Sequence, residues 1–321
     1  MSNFKLGLMA ILILSGLGGA GASSCAAKQQ NDKPAGNDTP QKSGSADVVD
    51  KRADRKSGEL RVIAEGSYGQ AGEPFVVVTR DPKVYTRLRE MVKGLPELDA
   101  DFFESNTVAA ISVGPRNTGG YAIEFMRIDT GELLVEERVP PAEAVTTQAL
   151  TTPFKAIAVP TKKGESVALL LRGALAESLL RPYRVVSGEL ASPTGLGGRA
   201  EKFVLGGELR VARHERLVTL LFDLKCASDK QVRFLKFAVT GLVDEHGNFS
   251  VSGADTGSLF GAPPHLLGVT GQFAGSEGDK LRLAFVWFPT GVADAPIQAG
   301  KLSATASGPA PERSKPKESM F

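Results

Sequence analysis

The sequence predicts a mainly β protein with two folded parts. The first part is expected to be α+β, an Ig-like sandwich-type sheet with one helix, and the second an antiparallel β sandwich or small barrel. Short runs rich in Val and Ile recur between turn residues, and 36 Gly and 19 Pro supply many turns. In the first part only one segment has clear helical spacing. With 42% hydrophobic residues a core can form without disulfides, and a net charge of +2 gives no support to nucleic-acid binding.

Residues 1–24 have the pattern of an export signal peptide. Lys5 precedes an apolar run over residues 6–17, which has the length of a signal core and is too short for a membrane helix. The stretch ASSC at 22–25 resembles the lipobox of bacterial lipoproteins, which implies a lipid on Cys25 and a lipid-anchored position in the cell envelope. Ala26, where Asp would favour inner-membrane retention, favours the outer membrane. Ordinary cleavage, giving a soluble periplasmic or secreted protein, is the alternative.

The segments that flank the folded parts are predicted to be disordered. Residues 25–57 form a tether after the lipidated Cys, and residues 308–321 form a C-terminal tail. Both hold few large apolar side chains, so they cannot bury enough surface to offset the entropy of ordering.

The first folded part spans residues 58–163. Its predicted strands are residues 60–64, 75–79, 107–113, 121–127, 133–138 and 154–159. Its helix is predicted over residues 82–92, because apolar residues recur at helical spacing and Pro82 suits a first turn.

Residues 164–182 connect the two parts, and an apolar stripe predicts a helix over residues 164–180. The second folded part spans residues 183–307 and is predicted to be wholly β. Its strands are expected at residues 203–212, 217–224, 232–243, 249–252, 266–273, 281–288 and 301–305. Alternating apolar residues over 281–287 indicate a half-buried strand, and residues 244–248 indicate a hairpin turn.

Two stretches of the first part resemble the C-terminal domain of the PrcB protease-complex subunit family. One is an acidic-Phe pair at 101–102, a hydrophobic strand ending in Gly114, and the turn TGGY at 118–121; the other is TQALTTPF at 147–154. The resemblance implies an accessory or stabilising role beside an extracellular protease and implies no chemistry. The TGGY turn and Thr152-Pro153-Phe154 are also weakly similar to loops of chagasin-like protease inhibitors, but no Pro follows Asn117 and Thr152 replaces Arg.

These two stretches carry the predicted partner-binding residues. The set is Asn117, Thr118, Gly119, Gly120, Tyr121, Thr152, Pro153 and Phe154. Consecutive glycines allow a loop to lie flat against another surface, and Tyr offers a stiff contact with a polar tip. A tight hairpin with Tyr121 pointing into its own core, in phase with Ile123 and Phe125, is the alternative.

No catalytic, cofactor or metal site is predicted. The three His residues are His214 in a polar turn, His246 in a hairpin tip and His265 after two prolines, and none has a partner at metal-ligand spacing. Cys226 is interpreted as a small buried apolar residue, or as a disulfide partner of Cys25 if that Cys carries no lipid.

The sequence therefore favours a non-catalytic protein-binding module. One alternative is a ligand carrier whose barrel closes around a small apolar molecule near Phe273, Phe285 and Trp287. The other is a hydrolase whose catalytic residues assemble only in space.

Overall fold

The computed structural model describes residues 60–67, 72–128, 132–162, 165–192, 201–255, 265–275, 278–289 and 297–308. All of them belong to one compact unit, residues 54–321. The signal peptide, Cys25, the tether, the turn at 129–131, the loop at 193–200 and residues 309–321 of the tail lie outside the described residues.

The first part is a β sandwich with three short helices packed against it. Its elements are β1 (Arg61–Gly66), β2 (Phe75–Thr79), α1 (Pro82–Met91), α2 (Ala100–Ser105), β3 (Asn106–Ser112), β4 (Ala122–Arg127), β5 (Leu133–Arg138), β6 (Phe154–Pro160), β7 (Leu169–Leu171) and α3 (Ala174–Leu179). One sheet has the order β1-β6-β3-β2 and the other the order β4-β5-β7. Apolar side chains from both sheets share one core, while α1 and α2 cover the opposite face of the four-stranded sheet.

Local capping explains where α1 and α2 begin. The Asp81 carboxylate accepts a hydrogen bond from the Lys83 N–H at 2.8 Å, and Pro82 stands in the first turn of α1. The Asp99 carboxylate caps α2 by accepting from the Phe102 N–H at 2.8 Å. Helix α2 has six residues, too few to show a helical period, and it was not predicted.

The helix predicted over residues 164–180 is wrong in extent. Strand β7 and helix α3 occupy this segment instead, separated by Gly173, whose φ of 60° no continuing helix adopts. Residues 169–171 pair in parallel with β5. The apolar stripe therefore reflects burial of both short elements against the sandwich core.

The second part is a closed eight-stranded antiparallel barrel. Its strands are β8 (Arg181–Ala191), β9 (Lys202–His214), β10 (Leu217–Ala227), β11 (Val232–Val243), β12 (Asn248–Asp255), β13 (His265–Ala274), β14 (Lys280–Pro289) and β15 (Ile297–Ala306). Each strand pairs with the next along the chain, and β15 pairs with β8 to close the barrel. The mainly β class is thus confirmed, with a small barrel as the architecture of this part.

Aromatic and aliphatic side chains pack together inside the barrel. The rings of Phe222 and Phe237 stack with centroids 4.4 Å apart, and Phe285 lies 6.2 Å from Phe222. Phe273 and Trp287 belong to the same packed core. The described strands therefore give no support to a ligand cavity around these residues.

The sandwich packs against the outer surface of the barrel. Ala212, Leu221 and Ala238 on three adjacent barrel strands belong to the same core as Val76 of β2. At this seam the Val78 N–H donates to the Thr240 hydroxyl at 2.8 Å, and the Thr219 hydroxyl donates to the Val76 carbonyl at 2.5 Å. One edge of β2 has no strand partner among the described elements, and barrel side chains there bond to its backbone N–H and C=O groups.

Candidate functional site

The two predicted turns lie side by side at one end of the sandwich. Arg116 and Thr151 exchange two backbone hydrogen bonds, of 2.7 and 2.9 Å. The Thr151 hydroxyl donates to the Thr118 carbonyl at 2.8 Å, and the Gly119 N–H donates to the Thr147 carbonyl at 3.0 Å. The turn after β3 and the segment before β6 are therefore held as one unit.

Both glycines of the first turn are required by this arrangement. A Cβ on Gly119 would collide with the Thr147 hydroxyl. Gly120 has a φ of 89°, which favours glycine, and its Cβ position lies 3.1 Å from Pro140. The turn thus packs directly against the loop that follows β5.

Arg116 fixes the position of Tyr121. Its guanidinium donates to both oxygens of Glu137, at 2.7 and 2.9 Å, and lies 5.6 Å from the centre of the Tyr121 ring. Ile123 is buried in the sandwich core, whereas Tyr121 is only half-buried. Tyr121 therefore does not follow Ile123 into the core.

The predicted residues of the second segment are all buried or half-buried. Thr152 is half-buried and donates its N–H to the Ser67 carbonyl at 2.6 Å, while Phe154 is half-buried beside Gly66. Pro153 is buried, and its carbonyl accepts from the Val113 N–H at 3.2 Å. Pro153, like buried Gly119, holds the turns in place, whereas Asn117 and Gly120 are exposed.

Sequence reasoning missed most of the loop of residues 139–150, of which only residues 147–150 belong to the second predicted stretch. Its apolar residues Val139, Val145 and Leu150 are 59%, 104% and 71% exposed. They are irregularly spaced among prolines and small residues, so no strand or helix period marked them. Together with residues 116–121 and 152–154, this loop forms a continuous area that we name the paired-turn surface.

His214 and His246 lie at different places in the described part of the barrel. His214 was predicted in a polar turn, which is wrong: it ends β9 and is 7% exposed, with its Nδ1 3.7 Å from the Glu73 carboxylate. His246 is exposed in the hairpin tip, and its backbone N–H donates to Asp244. Within the described ranges no three His, Cys, Asp or Glu side chains come close enough to hold a metal ion.

A crevice between the sandwich and the barrel is too small for a substrate. It has a volume of about 20 Å³ and is lined by residues that include Arg80, Thr107 and Thr240. Such a volume holds about one water molecule.

The segment that contains the paired-turn surface also matches a known family. Residues 107–160 match the family model described as PrcB C-terminal. The match confirms the predicted resemblance, and it runs from β3 to β6 with both turns and the loop of residues 139–150 inside it. No curated protein matches the chain. Among the described residues no helix of the chain is long and apolar enough to cross a membrane.

Proposed function

We propose that the chain is a non-catalytic, protein-binding subunit of the cell envelope that associates with an extracellular protease. The PrcB C-terminal match supports association with a protease complex. We further propose that the chain is exported and held at the membrane by a lipid on Cys25, which rests on the sequence pattern at 22–25.

The paired-turn surface is our candidate for the contact with the protease. The observation that carries this assignment is the group of exposed apolar side chains on the loop of residues 139–150. Glu143 is the only charged residue of that loop, so little desolvation of charge would oppose binding. Exposed apolar side chains that lie together on one surface mark interaction sites on proteins.

The fixed backbone of this surface lowers the cost of binding. Hydrogen bonds join the turn at 116–121 to both Thr147 and Thr151. A surface that is already ordered loses less conformational entropy when a partner binds. The half-buried Tyr121 adds a stiff aromatic group to this surface.

Co-purification from membrane extracts of the source cell tests the proposal. The intact chain should bring down a protease, identified by its activity and by mass spectrometry. The double variant Val145→Ser/Leu150→Ser should lose about tenfold or more of it, because both side chains would lie in the contact.

Val186→Ser/Val204→Ser is the matched control, because both residues are 69% exposed on the barrel. This variant should retain the protease. If the Val145→Ser/Leu150→Ser variant recovers as much protease as the unchanged chain, the paired-turn surface is not the contact. If the unchanged chain recovers no protease, the proposed function is wrong.

A further inference from the structure

Three of the four edge strands of the sandwich carry features that block pairing with another strand. The edge of β2 bonds to Thr219 and Thr240 of the barrel. Strand β7 has only three residues, and β1 has a register shift between Val62 and Ala64. Short length, irregular register and covering by another part of the protein are among the protections that edge strands carry.

Strand β4 is the fourth edge, and it lacks these protections. It has six residues in unbroken register with β5. The Ile128 N–H donates to the Glu132 carbonyl, so Ile128 faces its partner strand. In an antiparallel pair, successive residues alternate between facing the partner strand and facing away from it. The N–H and C=O groups of Ile123, Phe125 and Arg127 therefore point away from β5. Among the described residues no strand pairs with that side of β4.

This free edge is continuous with the paired-turn surface. Strand β4 begins one residue after Tyr121, and its first residue pairs with Arg138, which directly precedes the loop of residues 139–150. A protein that contacts the turns could therefore extend a segment along β4 without leaving the surface.

The side chains along β4 define which segment would fit. Phe125 is half-buried over the sandwich core, so an added strand needs apolar residues on that face. Arg127 is exposed and has no ion pair within the described part of the chain, so a carboxylate beside it would be favoured.

We propose that the partner adds an extended segment to the free edge of β4, with alternate apolar residues toward the core and an acidic residue beside Arg127. This inference rests on the proposed function and specifies how the partner is recognised. The main-chain groups of Ile123, Phe125 and Arg127 supply the hydrogen bonds, and the side chains supply the selectivity.

The test uses the intact chain as bait for a phage-displayed library of random peptides of strand length. Enriched peptides should show alternating apolar residues with an acidic residue, and they should protect the amides of Ile123, Phe125 and Arg127 from hydrogen exchange. Arg127→Pro removes an N–H that faces away from β5, so the sheet is kept while affinity for the peptides falls about tenfold. Arg127→Ala keeps the N–H and should weaken binding about threefold or less.

Several results would overturn strand addition. They are no enrichment, protection confined to other strands, or equal binding by the two Arg127 variants. A dimer of the unbound chain that Arg127→Pro dissociates would assign the edge to a second copy instead. In the co-purification assay, loss of the protease with Val145→Ser/Leu150→Ser but not with Arg127→Pro would keep the proposed function and reject strand addition.

Discussion

Arg116 makes three contacts in and beside the paired-turn surface. Its backbone pairs with Thr151, its guanidinium bonds to Glu137 of β5, and the same group lies over the Tyr121 ring. The two hydrogen bonds to one carboxylate match the planar fork of arginine, which lysine cannot reproduce. The orientation of Tyr121 thus depends in part on Glu137, which lies outside the turn at 116–121.

The thiol of Cys226 gives a prediction about pH. Cys226 is buried in the barrel core with no disulfide, and burial raises the pKa of its thiol to about 11 from a usual value of 9.0. The unfolded chain therefore loses this proton at lower pH than the folded chain. Folding stability should fall as pH rises from about 9 to 11, by up to about 2 kcal/mol, and be unaffected by this group below that window.

Denaturant unfolding across pH 8 to 10 checks this against Cys226→Ala, with Cys25→Ser in both proteins. The variant is less stable overall because it loses packing, but its stability should decline less steeply with pH. Tyr85, whose pKa burial raises to about 12, contributes at higher pH in both proteins. Identical slopes below pH 10 would contradict the prediction.

Residues of the candidate site could be predicted from the sequence where the local backbone conformation requires a particular residue type. Two adjacent glycines before a Tyr indicate a tight turn, and the structure shows why Gly119 and Gly120 are needed. The pair between Arg116 and Glu137 joins residues 21 positions apart and depends on how β5 registers beside the turn. His214 was misplaced because its burial comes from Phe75 and Glu73 in the other folded part.

At the scale of elements, alternation predicted most strands of the barrel. Strand β11 has the predicted bounds, and β14 buries Leu281, Leu283, Phe285 and Trp287 on one face as expected. Strand β8 was missed, although it closes the barrel. Its register against β9 shifts between Arg184 and Glu189, so Val186 is exposed and the period of two is lost.

The closure between β15 and β8 depends on Gly300. A Cβ at this position would collide with the backbone carbonyl of Glu189. Because the neighbouring atoms are backbone atoms of a paired strand, they cannot easily move aside. Gly300→Ala should therefore lower the free energy of unfolding by about 1–3 kcal/mol. Thermal or denaturant unfolding measures the change.

Gly206→Ala on β9 is the matched control for this prediction. Gly206 also lies in a barrel strand, but a Cβ there would meet no atom within 4 Å. This variant should keep or slightly raise stability, because alanine reduces the entropy of the unfolded chain. Equal effects of the two substitutions would show that close approach at Gly300 is not what limits that strand pair.

For the whole molecule, the barrel serves as a support for the sandwich. Three outward-facing barrel residues complete the sandwich core, and two threonine hydroxyls satisfy the edge of β2. The paired-turn surface lies in the segment from β3 to β6, and β4 belongs to the sheet that does not contain β2. This arrangement fixes the sandwich to the barrel while the edge of β4 has no strand partner within the described ranges.

Thr240 tests how strongly this seam couples the two parts. Its hydroxyl accepts from the buried Val78 N–H at 2.8 Å and lies 2.7 Å from the Thr219 hydroxyl. Thr240→Val preserves the shape but leaves the Val78 N–H buried without a partner, which should cost about 1–3 kcal/mol. Because the sandwich and barrel share a core, both should lose stability in one cooperative transition, seen alike by circular dichroism and by Trp287 fluorescence.

Thr240→Ser separates the hydrogen bond from the packing at the seam. It keeps the hydroxyl and removes one methyl group, so it should cost less than Thr240→Val if the hydrogen bond to Val78 dominates. If Thr240→Ser proves the more damaging of the two, packing of the methyl group holds the seam and the hydroxyls are secondary. If instead either variant unfolds in two steps, with hydrogen exchange accelerated only in β1 to β6, the barrel folds without the sandwich and the two parts do not share one cooperative transition.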